Sequence, residues 1–404
     1  MNLSSLKKWA VLFYANGNNE LEPEMRFAMN EIAMTGEARN LHVVLQIGRE
    51  DYELARIIRG ETQPPEPHEE WEGVRRYSLL GNQLILHDEL GKINMAHPAS
   101  LSDFLAWAFE SFPAEKYMII VGGHSWQYLG TMTDYSQLAP YIMGIPGLVE
   151  AVNSASNRAG VEVDLILFDT CNFNVIEVVY ELGVDPCHAV KNMATYLGQG
   201  PIQGLSPRTI IQQADKFSHL DDIEAFIKSF IKGLGSRLVA CQISHSQLSC
   251  IKELYNKLAI EYVSLKHNSI NFQELLHGNP QDLWYGTLMD LREKLCSLII
   301  LASNQIQGQG IINVASQRTT NIESIKLYSM ISFAKDNYWT HLLSEQDIRE
   351  IEPVLKARAL FEPIRISERE ICRYISLFNP SFSQERIRKV FVDITKLQNW
   401  NLNG

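Results

Sequence analysis

Hydrophobic residues in the first half of the chain fall into short continuous runs separated by polar turns. Four of these runs predict buried strands: WAVLFYA (9–15), LHVVLQIG (41–48), YMIIVGG (117–123) and VDLILFD (163–169). Continuous apolar runs are typical of strands whose two faces are both covered by helices. Since helical spacing lies between the runs, the pattern predicts a doubly wound α/β domain.

Helical periodicity predicts a helix over 20–36, a second over 101–112 and a third over 173–183. Ser100 and Ser102 are candidate N-caps for the second helix, because a serine hydroxyl can accept a hydrogen bond from a free backbone N–H. The chain between the second strand and this helix has a different pattern. We expect strands there, on either side of a proline-rich loop, TQPPEPHEE.

The second half of the chain is mainly helical by its pattern. Helices are predicted within 215–265, within 284–305 and over 324–343, and GIINVA (310–315) predicts one further strand.

The last 60 residues, 345–404, differ in charge from the rest. They carry ten Lys or Arg and nine Asp or Glu, a net charge of +1, so the preceding residues hold all of the net charge of −11. Two helical stretches, SEREICRYISLF and QERIRKVFVDITKLQ, predict a small helical appendage.

Composition narrows the class of protein. With 46% hydrophobic and 21% charged residues, the chain is typical of a soluble globular protein. Its excess of acidic over basic residues, 47 to 36, argues against a nucleic-acid-binding surface. No apolar run approaches the roughly 18 residues of a membrane span. The N-terminal apolar run 9–15 is too short for a secretory signal and is followed by no small-residue cleavage site, so we expect a cytoplasmic location.

The six cysteines form no CxxC pair, which argues against a zinc-ribbon site, and they are too sparse for a disulfide scaffold. No GxxxxGK[ST] or GxGxxG motif appears, so nucleotide binding is not indicated.

Two of the clearest strands run into residues that can perform catalysis. YMIIVGG leads to His124, and VDLILFD leads to Asp169, Thr170 and Cys171. Ligands of α/β sheets bind at the carboxyl ends of strands, and a thiol becomes nucleophilic when a nearby imidazole favours its thiolate. The dipole of the helix over 173–183 would lower the pKa of Cys171 further. Taken alone, a cysteine at a strand end is more often a buried apolar residue and a histidine after two glycines is more often a turn residue, but together they favour a cysteine–histidine dyad.

Four ordered segments resemble the clostripain family of cysteine peptidases, whose members have a caspase-like fold. The segments are WAVLFYANGNNELEPEM, KINMAHPASLSDFLAWAFESFPAEKYMIIVGGHSW, LILFDTCNFNVIEVVYEL and GIINVASQRTTNIESIKLYSMISFAKDNYWTHLL. The resemblance implies a caspase-like, mainly parallel sheet flanked by helices. It also implies a peptidase domain over 1–344, with a catalytic core at about 9–210 and its completion over 211–344, followed by the helical region 345–404.

The resemblance also implies roles for individual residues. Cys171 would be the nucleophile that forms a thioester, and His124 would activate the thiol or protonate the leaving amine. The backbone N–H of Cys171, with one near Gly123 or Ser125, would form the oxyanion hole. Asp169 would line the primary specificity pocket and favour Arg or Lys before the scissile bond; capping of the following helix is the alternative.

The chain departs from the family pattern at three places. Ser125 replaces the glycine that usually follows the histidine, and could crowd the oxyanion hole. The segment 192–209 has no acidic residue, so a second carboxylate for a basic side chain is missing. Residues 117–157 contain no Lys or Arg, which disfavours self-processing at a basic residue there. We therefore expect a single-chain enzyme or activation by a protein partner that docks on the helical tail.

Other groups are weaker candidates. Cys187 and His188 are sequence neighbours and would point to opposite faces of a strand. Asp134 is either near the site mouth or an ordinary turn acid. The acidic residues and His68 of the loop 66–70 could bind calcium or zinc, but a solvated proline-rich loop fits them better. The resemblance to clostripain leaves calcium as an optional cofactor; no cofactor is required by the predicted chemistry.

The sequence thus predicts a cysteine endopeptidase that cleaves proteins after Arg or Lys. If it is cytoplasmic, a regulated role such as bacterial defence fits better than digestion. The alternatives are a catalytically inactive caspase-like binding module and, less favoured, a cysteine hydrolase or transferase acting on non-protein acyl groups.

Overall fold

A computed structural model describes residues 6–60, 71–126, 129–265, 272–302, 332–339 and 362–400. The strands in these ranges are β1 (Lys7–Gly17), β2 (Leu41–Arg49), β3 (Gly73–Leu80), β4 (Gln83–Gly91), β5 (Ala114–Gly122), β6 (Thr131–Asp134), β7 (Tyr141–Met143), β8 (Leu165–Asp169), β9 (Asn192–Tyr196), β10 (Leu238–Gln242), β11 (Ile299–Ala302) and β12 (Ile364–Arg365). The helices are α1 (Glu22–Ala33), α2 (Tyr52–Arg59), α3 (Pro98–Ser111), α4 (Ile145–Ala159), α5 (Ile176–Gly183), α6 (Pro207–Phe217), α7 (Ile223–Leu234), α8 (His245–Leu265), α9 (Phe272–His277), α10 (Tyr285–Ser297), α11 (Glu368–Phe378) and α12 (Gln384–Leu397).

The larger sheet has the strand order β11-β10-β9-β8-β5-β1-β2-β3-β4. Its five central strands, from β9 to β2, pair in parallel. The two strands at each edge pair antiparallel. This architecture confirms the predicted α/β class and mainly parallel sheet.

Both faces of the sheet carry a hydrophobic core. Along β1, Ala10 and Leu12 face one core cluster, whereas Trp9 and Val11 face the other. All four side chains are fully buried. The unbroken apolar pattern of this strand therefore reflects helices packed on both sides of it.

The C-terminal helices pack onto the body of the protein. The strand β12 pairs with β7 in a second sheet of three strands, β12-β7-β6. Buried side chains of α11 and α12, including Ile371 and Ile394, form a third hydrophobic cluster with Leu54 and Ile58 of α2. The predicted helical appendage is thus present and joined to the body by both strand pairing and apolar contact.

Several local predictions are wrong, each for a local reason. A helix, α2, forms where strands were expected, because Asp51 caps its first turn and Gly60 ends it in a left-handed conformation. The side chain of His97 caps α3 in place of Ser100 or Ser102, because the helix begins at Pro98. The strand β10 interrupts a region predicted to be helical.

Two further predictions need correction, and three lie partly or wholly outside the described residues. The strand β11 follows α10 where the helix was expected to continue, and residues 332–339 form turns and a short 3-10 segment in place of the predicted helix. The strand over 310–315, the proline-rich loop over 61–70 and the remainder of the helix over 324–343 lie outside the described residues. The division at residue 344 stays a prediction.

No helix in the described part of the chain is both long and apolar enough to cross a membrane.

Phe168 offers a test of the two-sided core. Its side chain is fully buried in β8 and contacts Phe173 edge-on, with ring centroids 4.7 Å apart. We expect Phe168→Ala to destabilise the protein by about 3–5 kcal/mol, through lost burial and a residual cavity. Urea unfolding measures the loss. The control Leu138→Ala, at a side chain that is 67% exposed, should change stability by less than about 0.5 kcal/mol. Equal effects of the two would contradict this packing.

Candidate active site

The carboxyl ends of three adjacent parallel strands meet at one edge of the sheet. His124 follows β5, Cys171 follows β8, and Glu20 follows β1. A cavity of about 420 Å³ lies at this edge. All the residues that the sequence predicted for the site line it: Gly123, His124, Ser125, Asp169 and Cys171.

The turn that carries Cys171 is tied to the neighbouring loop. Asn172 has a left-handed backbone, with φ of 54°, and its N–H donates to the carbonyl of Gly198 at 2.6 Å. The N–H of Gly200 donates to Sγ of Cys171 at 3.4 Å. The thiol is therefore held at the cavity wall by main-chain contacts.

The expectation that the α5 dipole lowers the pKa of Cys171 is wrong. The helix begins at Ile176, five positions after the cysteine, so Cys171 is outside its first turn. Burial raises the pKa of the thiol above its ordinary value; the N–H of Gly200 lowers this pKa by less, and the nearby carboxylate of Asp169 adds a still smaller rise. In this conformation the thiol is neutral at neutral pH.

His124 is held by its backbone and by its ring. Its carbonyl accepts hydrogen bonds from the hydroxyl of Thr131 at 2.7 Å and from the N–H of Met132 at 3.1 Å. On the ring, Nε2 lies 3.0 Å from Oε1 of Glu20, whose side chain is fully buried. The imidazole is thus placed against a buried carboxylate.

The loop before Glu20 is fixed by buried asparagines. Nδ2 of Asn19 donates to the carbonyl of Thr133 at 2.7 Å, and its Oδ1 accepts from the N–H of Leu21 at 2.9 Å. Sequence analysis did not single out Glu20. Glu20 follows β1, and β1 lies beside β5, the strand that leads to His124. The position of this acid near the histidine becomes visible only when the strand order is known.

A tyrosine from the C-terminal helix α11 also reaches the histidine. The hydroxyl oxygen of Tyr374 lies 2.5 Å from Nδ1 and 2.7 Å from Nε2 of His124. Its ring stacks on Trp126 at a centroid distance of 5.3 Å. Glu370 and Arg373 of the same helix line the cavity with it. Because Tyr374 lies 250 residues from His124, no local sequence pattern could indicate this contact.

Asp169 sits in the cavity wall with its carboxylate already engaged. The hydroxyl of Tyr196 donates to Oδ1 at 2.6 Å, and the N–H of Leu205 lies 3.0 Å from Oδ2. Burial raises the pKa of Asp169 to about 6, although both hydrogen bonds lower it. The capping alternative is wrong, since Val175 occupies the N-cap position of α5. Gly204 is required nearby, because a Cβ there would lie 2.5 Å from Oδ2.

The backbone of the predicted oxyanion hole is constrained on the histidine side. Gly123 has φ of 154°, and a Cβ there would approach the Met132 side chain to 3.1 Å. Ser125 forms a β-bridge with Thr131. The chain on both sides of His124 is therefore fixed by close packing and by pairing.

The remaining candidates fall into structural roles. Asp134 is buried, and its carboxylate accepts hydrogen bonds from Asn18 at 2.8 Å, from the N–H of Met95 at 2.7 Å and from Ser136. It anchors loops and does not line the cavity. Nδ1 of His188 contacts the carbonyl of Asp185 at 2.8 Å, within a turn that includes Cys187.

Over the residues that the structure describes, no three His, Cys, Asp or Glu side chains converge as metal ligands. The loop 66–70 lies outside that part. Calcium dependence stays a prediction.

A model of the Clostripain family, Peptidase_C11, matches residues 14–348. No curated protein matches the chain.

Solved structures of C11 proteases share the fold at low sequence identity. One is a secreted C11 cysteine protease from Bacteroides thetaiotaomicron in complex with an irreversible peptide inhibitor. It is 16% identical to this chain, with a TM-score of 0.51, and the match covers 72% of this chain and 83% of that one. An inactive zymogen C11 protease from Parabacteroides distasonis is 15% identical, with a TM-score of 0.55, and the match covers 83% of this chain and 99% of that one. A secreted C11 cysteine protease from Bacteroides thetaiotaomicron, "iotapain", is 9% identical, with a TM-score of 0.55, and the match covers 82% of this chain and 99% of that one.

The raised pKa of Cys171 predicts slow alkylation. Only the thiolate reacts with iodoacetamide, and a raised pKa leaves less thiolate at neutral pH. We therefore expect Cys171 to react several-fold more slowly than the exposed Cys187 and Cys296 at neutral pH, with a rate that climbs as the solution is made alkaline. Mass spectrometry of the labelled peptides measures each rate. Preferential labelling of Cys171 at neutral pH would contradict the burial described here.

Proposed function

The chain belongs to the clostripain family and is a cysteine-type endopeptidase, and we propose that it cleaves proteins with Cys171 and His124 through an acyl-enzyme. The observation that carries the proposal is their convergence on one cavity from adjacent parallel strands. This is the arrangement in which an imidazole can take the proton of a thiol.

The proposed reaction has two steps. The Cys171 thiolate attacks the scissile carbonyl, and the imidazolium of His124 gives its proton to the leaving amine, so that a thioester forms and the peptide bond breaks. Water, deprotonated by His124, then attacks the thioester and releases the carboxylic acid and the thiol. Backbone N–H groups of Cys171 and of the Gly123–Ser125 turn would stabilise the oxyanion.

We propose that Asp169 gives the enzyme a preference for Arg or Lys before the scissile bond. Its position in the cavity wall supports this role, because a partly desolvated carboxylate pairs strongly with a guanidinium. The absence of acidic residues in 192–209 means that Asp169 would act without help from that segment.

We propose further that the C-terminal helices keep the enzyme latent. Tyr374 occupies hydrogen-bonding positions at both nitrogens of His124. Burial of the Cys171 thiol raises its pKa. A protein activator that displaces α11 would free the histidine and admit water and substrate to the thiol. The tail would then be the docking element for that activator.

The six free cysteines support a reducing compartment, and we propose a cytoplasmic location. Two of the similar solved structures are of secreted proteases. A regulated intracellular protease would fit bacterial defence, a setting inferred from the fold alone. Fractionation of the producing cells tests the location. Recovery of the protein outside the cytoplasmic fraction would refute the proposed cytoplasmic location.

Asp169 yields a prediction on substrate preference. In a fluorogenic panel with Arg, Lys, Asp, Leu or Ala before the scissile bond, Asp169→Asn should lower the Arg-to-Ala ratio of kcat/KM by roughly 30-fold, equivalent to about 2 kcal/mol for a charge-assisted hydrogen bond. In the unmodified enzyme this ratio should fall as pH drops below about 6, since the carboxyl then takes up a proton. The panel is run with and without calcium.

Asp164 provides the matched control. It lies just before β8, at the opposite end of the strand, and accepts a hydrogen bond from the N–H of Tyr117 at 2.9 Å. Asp164→Asn should leave the substrate ratio unchanged. Turnover only after a neutral residue would refute the basic preference but keep the peptidase. Turnover that survives Cys171→Ala would refute the role of Cys171 as nucleophile. Absence of turnover even in variants that displace α11 from His124 would favour the inactive binding module.

Tyr374 yields a prediction on latency. Tyr374→Ala should raise both turnover and the alkylation rate of Cys171 about tenfold or more, because contacts worth about 1.4 kcal/mol change an equilibrium tenfold. Ile394→Ala, fully buried in the tail cluster away from the cavity, should act in the same direction by loosening the tail. The control Val392→Ala, at a side chain that is 44% exposed, should change neither rate. Unchanged rates in Tyr374→Ala would contradict latency.

A further inference from the structure

The carboxylate of Glu20 makes a contact that the cysteine–histidine pair does not explain. It is fully buried, and its Oε1 lies 3.0 Å from Nε2 of His124. A carboxylate removed from water is costly unless a charged or hydrogen-bonding partner compensates it. The imidazole is the charged partner at this carboxylate, beside the hydroxyl of Tyr374.

The surrounding loop directs the Glu20 side chain to the histidine. Nη1 of Arg59 donates to the backbone carbonyl of Glu20 at 3.2 Å and to Oε2 of Glu24 at 2.9 Å. The next acid along, Glu22, lies 2.8 Å from Nε of Arg49. Three neighbouring acids thus have three different partners, and Glu20 is the one assigned to the imidazole.

Glu20 stands behind His124 and outside the cavity wall. The residues that line the cavity include Leu21 and Met25 of the same segment but not Glu20. A substrate in the cavity would therefore touch the imidazole and not this carboxylate. Any effect of Glu20 on the reaction must pass through the histidine.

We propose that Glu20 is a positioning residue that holds His124 through Nε2 and leaves Nδ1 to exchange the proton with Cys171. The inference rests on the proposed dyad. A carboxylate accepts hydrogen bonds and cannot donate them when ionised. It therefore fixes the neutral ring in the tautomer that carries its proton on Nε2, and it stabilises the imidazolium that forms when the thiol gives up its proton.

The ionisation of Glu20 is consistent with this role. Burial alone would raise the pKa of Glu20, but the charge and hydrogen bond of His124, together with the hydroxyl of Tyr374, outweigh burial and bring it below the ordinary range. Other ionisable groups at the same cavity are Cys171, Asp169, Glu370 and Arg373.

The first test is spectroscopic and does not depend on turnover. The full chain carrying Cys171→Ala is labelled with 15N-histidine, and the His124 signals are assigned by their loss in His124→Gln. At alkaline pH we expect Nδ1 and Nε2 of His124 to give well-separated shifts, with the proton on Nε2. Adding Glu20→Gln should mix or reverse the tautomers, because an amide can donate to Nε2. An unchanged Nε2–H tautomer in Glu20→Gln would overturn the proposal.

The second test separates positioning from folding. In the full chain carrying Tyr374→Ala, Glu20→Gln should lower kcat about 10²-fold or more, with KM changed by less than about threefold. Glu20→Asp keeps the carboxylate and should recover part of kcat. The matched control is Glu22→Gln, two positions along and equally buried, which breaks an ion pair with Arg49 but should leave kcat and the His124 tautomer unchanged.

The two tests distinguish the possible failures. Absence of turnover in every variant, with the expected tautomer change, would refute the proposed peptidase dyad and keep the Glu20–His124 assignment. Equal losses of kcat in Glu20→Gln and Glu22→Gln, without a tautomer change, would reduce Glu20 to a structural residue and overturn the inference.

Discussion

Main-chain pairing among β1, β5 and β8 is the constraint on which the candidate active site depends. Gly122 of β5 pairs with Ala15 of β1 on one side and with Asp169 of β8 on the other, so β5 and β8 end level and β1 ends two residues farther on, at Gly17. The loops that follow carry a buried carboxylate, a histidine and a cysteine. A shift of one residue in this register would turn alternate side chains to the other face of the sheet and separate the three groups.

The part of the site that the sequence predicted is the part encoded locally. His124 and Cys171 each follow an unmistakable apolar strand, and rules for parallel sheets place such strand ends together. Glu20 follows an equally clear strand, but its importance appears only when β1 is known to lie beside β5. Tyr374 could not be predicted, because its position depends on how the tail packs against α2 and β7. Some errors in the fold have the same origin, because β10 and the edge strand β11 form through their pairing partners and not from their own patterns.

Two carboxylates beside one cavity have pKa values shifted in opposite directions. Asp169 has neutral partners, a tyrosine hydroxyl and a backbone N–H, so desolvation dominates and its pKa rises. Glu20 has an imidazole as partner, and its pKa falls. The opposite directions follow from the charge of the partner. Under the proposed function Asp169 would engage a substrate cation, whereas Glu20 is paired with the protein's own histidine.

The pairing of β12 with β7 bears on the proposed latency, in which the helix α11 would compete with substrate. Ile364 pairs with Ile142, the N–H of Ile366 donates to the carbonyl of Pro140 at 2.9 Å, and α11 begins two residues later. A displaced α11 would stay tethered to the body by this pairing. Its effective concentration is then of millimolar order, as for groups joined by short linkers. Dilution of the protein cannot weaken such an internal competitor, so even a contact of low intrinsic affinity suffices to occupy the histidine.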